Sequence, residues 1–190
     1  MTKSIILVGV GGQGTITTSS ILAKGLIEEG FDVKMSEIHG MSQRGGTVVT
    51  QIKYGEKVYS PIIGEGEADL IVSFEKAEAA RALPYLKSGG TIVTDDREIF
   101  PMTVLTGAAV YPESAIGELK KTVSNVAVVQ AAKTAQELGN VKAQNIVLLG
   151  ALVKQLGLLG IDWKAIIAKS VPAKLVELNL QAFDAGISLV

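Results

Sequence analysis

The stretch Ser4-Ile5-Ile6-Leu7-Val8-Gly9-Val10-Gly11-Gly12-Gln13-Gly14-Thr15 decides the fold. Its first half is a β-rich apolar run. Glycines stand at 9, 11 and 14, and the residues from 15 to 29 carry apolar side chains at 22, 23, 26 and 27, a helical spacing. Gly30 is a natural stop for that helix. A strand, a Gly-x-Gly-x-x-Gly turn and a helix in this order predict the opening of an α/β sheet, with a turn that lets an anion approach bare backbone amides.

The next segments extend the pattern. Residues 31–35 read as a second strand, followed by the polar loop Ser36-Glu37-Ile38-His39-Gly40-Met41-Ser42-Gln43-Arg44-Gly45-Gly46. In a parallel sheet, loops after successive strands emerge at one edge, so the two glycine-rich loops are expected to share a crevice. Residues 47–54 are rich in β-branched side chains, 55–56 look like a turn and 57–60 like a returning strand, a hairpin inside an alternating plan. Strands are expected at 69–74 and 91–94, weaker ones at 104–106 and 126–129, and a helix at 75–87. From 131 onward the chain reads as helices, with a cap at or near Asp162 and a start or break at Pro172. The fold class is α/β: a doubly wound, mostly parallel, Rossmann-like sheet with an inserted β-hairpin and a helical C-terminal third. Residues 1–190 read as one domain.

Composition narrows the chemistry. The chain has no cysteine and a single histidine, His39, so it offers no disulfide, thiolate nucleophile, cysteine-held iron–sulfur cluster or multi-histidine metal site. Eighteen basic residues balance nineteen acidic ones with no basic stripe, which speaks against nucleic acid. No apolar run approaches the roughly 20 residues of a membrane span, and the N-terminal run is too short for a signal-peptide core; a cytoplasmic protein is expected. Mean hydropathy is +0.36, apolar enough to suggest that both sheet faces, or a partner, cover the surplus.

Candidate ligand-binding residues fall in the two loops: Gly11, Gly12, Gln13, Gly14 and Thr15 in the first, Glu37, His39, Ser42, Arg44, Gly45 and Gly46 in the second. Residues 15–20 contain five hydroxyl side chains and no acid, which leaves the positive end of the helix dipole to an anion. Arg44 beside two glycines offers a planar guanidinium to phosphate or carboxylate. Glu37, 23 residues beyond Gly14, stands near where a ribose-binding acid would fall. Each has a plainer use. Glycines at a first β–α turn serve close packing, hydroxyls cap helices, Arg44 and Glu37 can pair, His39 has no triad partner, and the second loop suits a protein contact equally well. There is no Gly-x-x-x-x-Gly-Lys-Ser/Thr phosphate loop, and no Gly-Asp-Gly followed by Asn-Asn, the thiamine diphosphate signature.

Gly-Val-Gly-Gly-Gln-Gly (9–14), Ser-Glu-Ile-His-Gly-Met-Ser-Gln-Arg-Gly-Gly (36–46) and Val49-x-Gln51-Ile52-Lys53-Tyr54-Gly55 resemble the gamma-type component of 2-oxoacid:ferredoxin oxidoreductases. So do Tyr59-Ser60-Pro61-Ile62, Gly66-Glu67-Ala68-Asp69, Asn145-x-x-x-Leu149-Gly150-Ala151 and Asn179-x-x-Ala182-Phe183-x-x-Gly186, and together they span nearly the whole chain. The resemblance implies a division of labour. A large alpha subunit would hold thiamine diphosphate, Mg2+ and 4Fe-4S clusters, while this chain binds no cofactor by itself and helps enclose the site as part of a hetero-oligomer. The implied reaction is oxidative decarboxylation of an arylpyruvate with coenzyme A, giving acyl-CoA, carbon dioxide and reduced ferredoxin. Residues 11–15 and Arg44 would then meet the phosphates of coenzyme A. From the glycine fingerprint and Glu37 alone, a free-standing NAD(P)-dependent oxidoreductase and a nucleotide-sensing module remain as alternatives.

Overall fold

The computed structural model describes residues 2–40 and 46–190. Strand β1 (Lys3–Val10) leads through the glycine turn into helix α1 (Thr15–Glu28) and returns as β2 (Asp32–His39). After β3 (Thr47–Gly55) the chain alternates through β4 (Ala68–Ser73), α2 (Lys76–Ala82), β5 (Leu86–Asp95), α3 (Met102–Leu105), α4 (Ala115–Thr122) and β6 (Asn125–Val129). It ends in α5 (Ala131–Glu137), α6 (Gln144–Gln155), α7 (Trp163–Ser170) and α8 (Val176–Ser188). The six strands form one sheet in the order β2-β3-β1-β4-β5-β6. β3 is antiparallel to both β1 and β2, so β2 runs with β1; the β1–β4, β4–β5 and β5–β6 pairs are parallel.

This is the expected doubly wound sheet with a helical C-terminal third, and the inserted hairpin is present with a different second arm. β3 pairs with β2 across residues 40–46, and 57–60 forms no strand. The reason is the sheet order: β1 and β2 already occupy both edges of β3. The chain after β3 instead turns back, and the Val58 N–H donates to Asp32 at 2.9 Å. Four other expectations shift. The second strand, read as 31–35, runs on to His39, so Ser36–His39 are not loop but strand paired with β3. Residues 104–106 belong to the single-turn helix α3 and its end, where the Thr106 hydroxyl donates to the Met102 carbonyl at 2.8 Å. The helix expected at 75–87 stops at Ala82, giving way to a 3-10 turn with Pro84, which has no N–H to continue it. β5 starts at Leu86, earlier than the expected 91.

The sheet is covered on both faces. Ile5, Leu7, Ile52, Leu70, Val72 and Val93 pack under α1 and the C-terminal helices. Ile6, Val8, Ile71 and Ile92 pack under α2 and α4. α6 is buried along almost its whole length, as an all-round apolar helix must be. Among the described residues no helix is long and apolar enough to cross a membrane.

Candidate functional site

The sheet order has its switch point at β1 and β4. From β1 the chain winds outward to β2; from β3 it crosses back to β4 on the other side. Ligand crevices of doubly wound sheets open at such points, outside the carboxyl ends of the strands. Here that edge collects the glycine turn, the end of the second loop, the start of α2 and residues 99–112.

The two loops do meet. Val10 and His39 end their strands on either side of the start of β3, opposite Thr47 and Val48. The Gly11 N–H donates to the Gly46 carbonyl at 2.9 Å, which ties the first loop to the second. Gly12 and Gly14 adopt φ of 98° and 86°, left-handed values that an L side chain disfavours. Gly14 is the N-cap of α1 with no side-chain cap, and the first turn holds no acid. Among the described residues, no acceptor meets the N–H groups of Gly12, Gly14, Thr15 or Ile16. Among the described residues nothing stands within 4 Å of where a Cβ on Gly12 would be. An open, uncapped helix start of this kind fits an anion.

Two of the hydroxyl side chains that follow do structural work. Thr18 donates to the Asn145 carbonyl at 3.0 Å and Ser19 to the Ile16 carbonyl at 2.8 Å. Thr15 is buried. Gln13 is buried with both polar atoms occupied: its Oε1 accepts from the Val10 N–H at 2.7 Å, and its Nε2 donates to the Phe74 carbonyl at 2.6 Å. It therefore clamps the ends of β1 and β4 together across the switch point. Glu37 and His39 are exposed on β2, two residues apart and thus on one sheet face. β3 intervenes, so they stand two strand spacings, about 10 Å, from β1. Ser42, Arg44 and Gly45 lie outside the described residues.

Three buried polar side chains join this edge without a motif to announce them. Glu75 caps α2, its Oε2 accepting from the Glu78 N–H at 2.9 Å, while its Oε1 accepts from the Tyr111 hydroxyl. The Tyr111 phenol is pushed upward in pKa, first by burial and then by the Glu75 carboxylate, so it stays a donor. Glu78 pairs with Arg81 at 2.6 Å, and Arg81 reaches Thr47, the residue after the second loop, at 3.4 Å. Burial raises the Glu78 carboxyl against the opposing pull of Arg81. Between α2 and residues 99–112 these groups line a cavity of about 80 Å3, with Val10 at its floor. The sequence signal was an acid following a buried strand with a second acid three residues on, the spacing of a capping box. A larger hollow of about 390 Å3 lies at the opposite end of β5 and β6. Its one charged lining residue, Lys87, is already paired with Asp69.

Asp95, the last residue of β5, is fully buried and caps α5. It accepts from the N–H groups of Ala131 and Ala132 at 3.0 and 3.1 Å. Burial raises its carboxyl from 3.8 to about 6, the Ala132 bond opposing and the Asp96 charge adding. A folded-state value above the unfolded one means that folding favours the protonated form. The stabilisation is complete below about pH 4 and is lost as pH rises through about 6. Unfolding free energies measured from pH 4 to 7 are expected to show wild type losing up to about 3 kcal/mol relative to Asp95→Asn. A difference between the two proteins that stays constant across that range refutes the assignment.

Residues 4–189 match the pyruvate ferredoxin/flavodoxin oxidoreductase family, and the chain belongs to that family. It is 41% identical to indolepyruvate oxidoreductase subunit IorB of Pyrococcus horikoshii, the match covering 97% of this chain and 94% of that one. The gamma subunit of keto/oxoacid ferredoxin oxidoreductase from Geobacter sulfurreducens PCA shares the fold, with a TM-score of 0.73 at 22% identity over 100% of this chain and 96% of that one. A 2-oxoglutarate:ferredoxin oxidoreductase from Magnetococcus marinus, solved with 2-oxoglutarate, coenzyme A and succinyl-CoA bound, matches with a TM-score of 0.72 at 21% identity. That match covers 99% of this chain and 31% of the other.

Proposed function

We propose that this chain is the small subunit of a cytoplasmic indolepyruvate-type 2-oxoacid:ferredoxin oxidoreductase. The observation that carries the reading is the 41% identity with a named indolepyruvate oxidoreductase subunit along almost the full length of both chains. The absence of cysteine from the sequence agrees with it, since the electron-carrying clusters must then belong to a partner. Thiamine diphosphate and iron–sulfur clusters in the large subunit supply decarboxylation and electron transfer. This chain supplies walls and fixed dipoles.

Its own part is to receive coenzyme A. The free N–H groups of the glycine turn donate to a phosphate at the start of α1, and Arg44 adds a guanidinium. The position of Glu37 favours this use over a dinucleotide: with β3 between β1 and β2, the acid is displaced from the strand whose turn would hold the pyrophosphate. Co-expression with the large subunit should yield a brown, oxygen-sensitive complex that reduces ferredoxin with an arylpyruvate and coenzyme A. The isolated chain should do nothing with a 2-oxoacid or with NADH, and turnover by it alone refutes the reading. Within the complex, Arg44→Ala should raise the KM for coenzyme A about tenfold, the worth of one charge-assisted phosphate contact. An unchanged KM removes Arg44 from the coenzyme site.

A further inference from the structure

Glu78 brings to the cavity between α2 and residues 99–112 a carboxylate that is only half satisfied. The side chain is 6% exposed. Its Oε1 has Arg81; its Oε2 is buried and, among the described residues, meets no hydrogen-bond donor. A carboxylate oxygen left bare in the interior is costly, and an ionised carboxylate can only accept. The group that belongs there is therefore a donor from outside, and with Glu75 and Glu78 outnumbering Arg81 among the charged residues of the lining a cation suits it best.

Size separates the possible occupants. Small-molecule sites take roughly 300–1,000 Å3, whereas this cavity of about 80 Å3 holds one side-chain head. The segment that gives the cavity Pro101, Thr103, Val104, Ala109 and Val110 also shows apolar side chains to water. Met102, Leu105 and Val110 are 68%, 63% and 93% exposed, and Phe100, its ring tilted against that of Tyr111 with centroids 4.9 Å apart, is 47% exposed. An apolar surround that excludes water from a buried, charge-complementary pocket is the make-up of a protein contact with an anchoring residue at its centre. The cavity floor is Val10, the last residue before the glycine turn, so whatever seats here also borders the candidate coenzyme site.

Building on the reading of this chain as a subunit, we propose that α3 and its flanks form the docking surface for the large subunit. That subunit inserts a lysine or arginine side chain to the free oxygen of Glu78. The test measures the dissociation constant between the chain and its large subunit, together with the melting temperature of the chain alone. Val110→Glu and Leu105→Glu alter side chains that stand in water, so the isolated variants should melt like wild type. Their dissociation constants should rise about 30-fold or more. Glu78→Gln should change the stability of the isolated chain little, because losing the pair with the largely exposed Arg81 is offset by removing a buried charge with one oxygen lacking a donor, and should weaken association by a similar factor. Wild-type affinity in Val110→Glu and Glu78→Gln together overturns the proposal. So does an unchanged affinity in Glu78→Gln accompanied by a raised KM for coenzyme A, which would assign the cavity to a small ligand. If the wild-type chain does not associate with the large subunit at all, both this surface and the subunit reading fall; variants that assemble normally defeat the surface alone.

Discussion

Replacing Gly186 by alanine should lower the melting temperature by roughly 10 °C, from a loss of about 3 kcal/mol. α6 and α8 cross with their backbones in contact. A Cβ on Gly186 would stand 1.9 Å from the Val147 carbonyl oxygen, and one on Gly150 would stand 2.2 Å from that of Phe183. The obstacle in each case is main chain, which has no rotamer to escape into. Relief therefore requires the helices to separate, which opens the cluster around Val147, Leu149, Ala182 and Phe183. Gly117→Ala is the control. It lies in α4 with nothing within 4 Å of its would-be Cβ, so the same substitution should stabilise by about 0.5–1 kcal/mol. Thermal unfolding followed by circular dichroism reads both. A Gly186→Ala protein that melts with wild type would show that the helix crossing is looser than described.

Gln13→Ala should cost about as much, roughly 3 kcal/mol, because it strands two buried backbone groups at once. The Val10 N–H loses its acceptor and the Phe74 carbonyl, 61 residues from Gln13 in sequence, its donor. Gln13→Glu should not rescue, since its second oxygen would face the Phe74 carbonyl oxygen with no proton between them. Denaturant unfolding of the isolated chain measures the loss, and amide exchange should quicken at residues 10–16, where the turn is no longer clamped. This separates two roles for a residue that sits inside a ligand fingerprint. If the isolated Gln13→Ala chain keeps its stability while the assembled enzyme's KM for coenzyme A rises, Gln13 is a ligand contact and its clamp is incidental.

Much of the architecture was legible because its signals are local. The glycine turn between β1 and α1, the stop at Gly30, and the Asp162 cap, which accepts from the Ala165 N–H at 3.1 Å, each lie within a turn or two of the element they define. The meeting of the two loops was also legible, since parallel strands release their loops at one edge whatever their order. The second arm of the hairpin was not. Residues 57–60 carry strand-forming side chains, and only the presence of β1 and β2 on both sides of β3 denies them a partner. Nor was the cluster of Glu75, Glu78 and Tyr111, since an acid at the start of a helix is common and Tyr111 is 36 residues away from Glu75.

Alternating and helical periodicity, glycine placement and the zero cysteine count thus determined the class of fold, the edge of the sheet where the two glycine-rich loops come together and the cysteine chemistry this chain lacks. Those properties depend on residues close in the chain or on composition. Tertiary structure decided which strand lies between β1 and β2, that Gln13 faces inward as a clamp, that Asp95 is a buried cap, and that one oxygen of Glu78 meets no donor among the described residues. Each is the outcome of competition among distant groups for a limited number of sheet edges, backbone donors and acceptors. That competition is resolved only when the whole sheet is assembled.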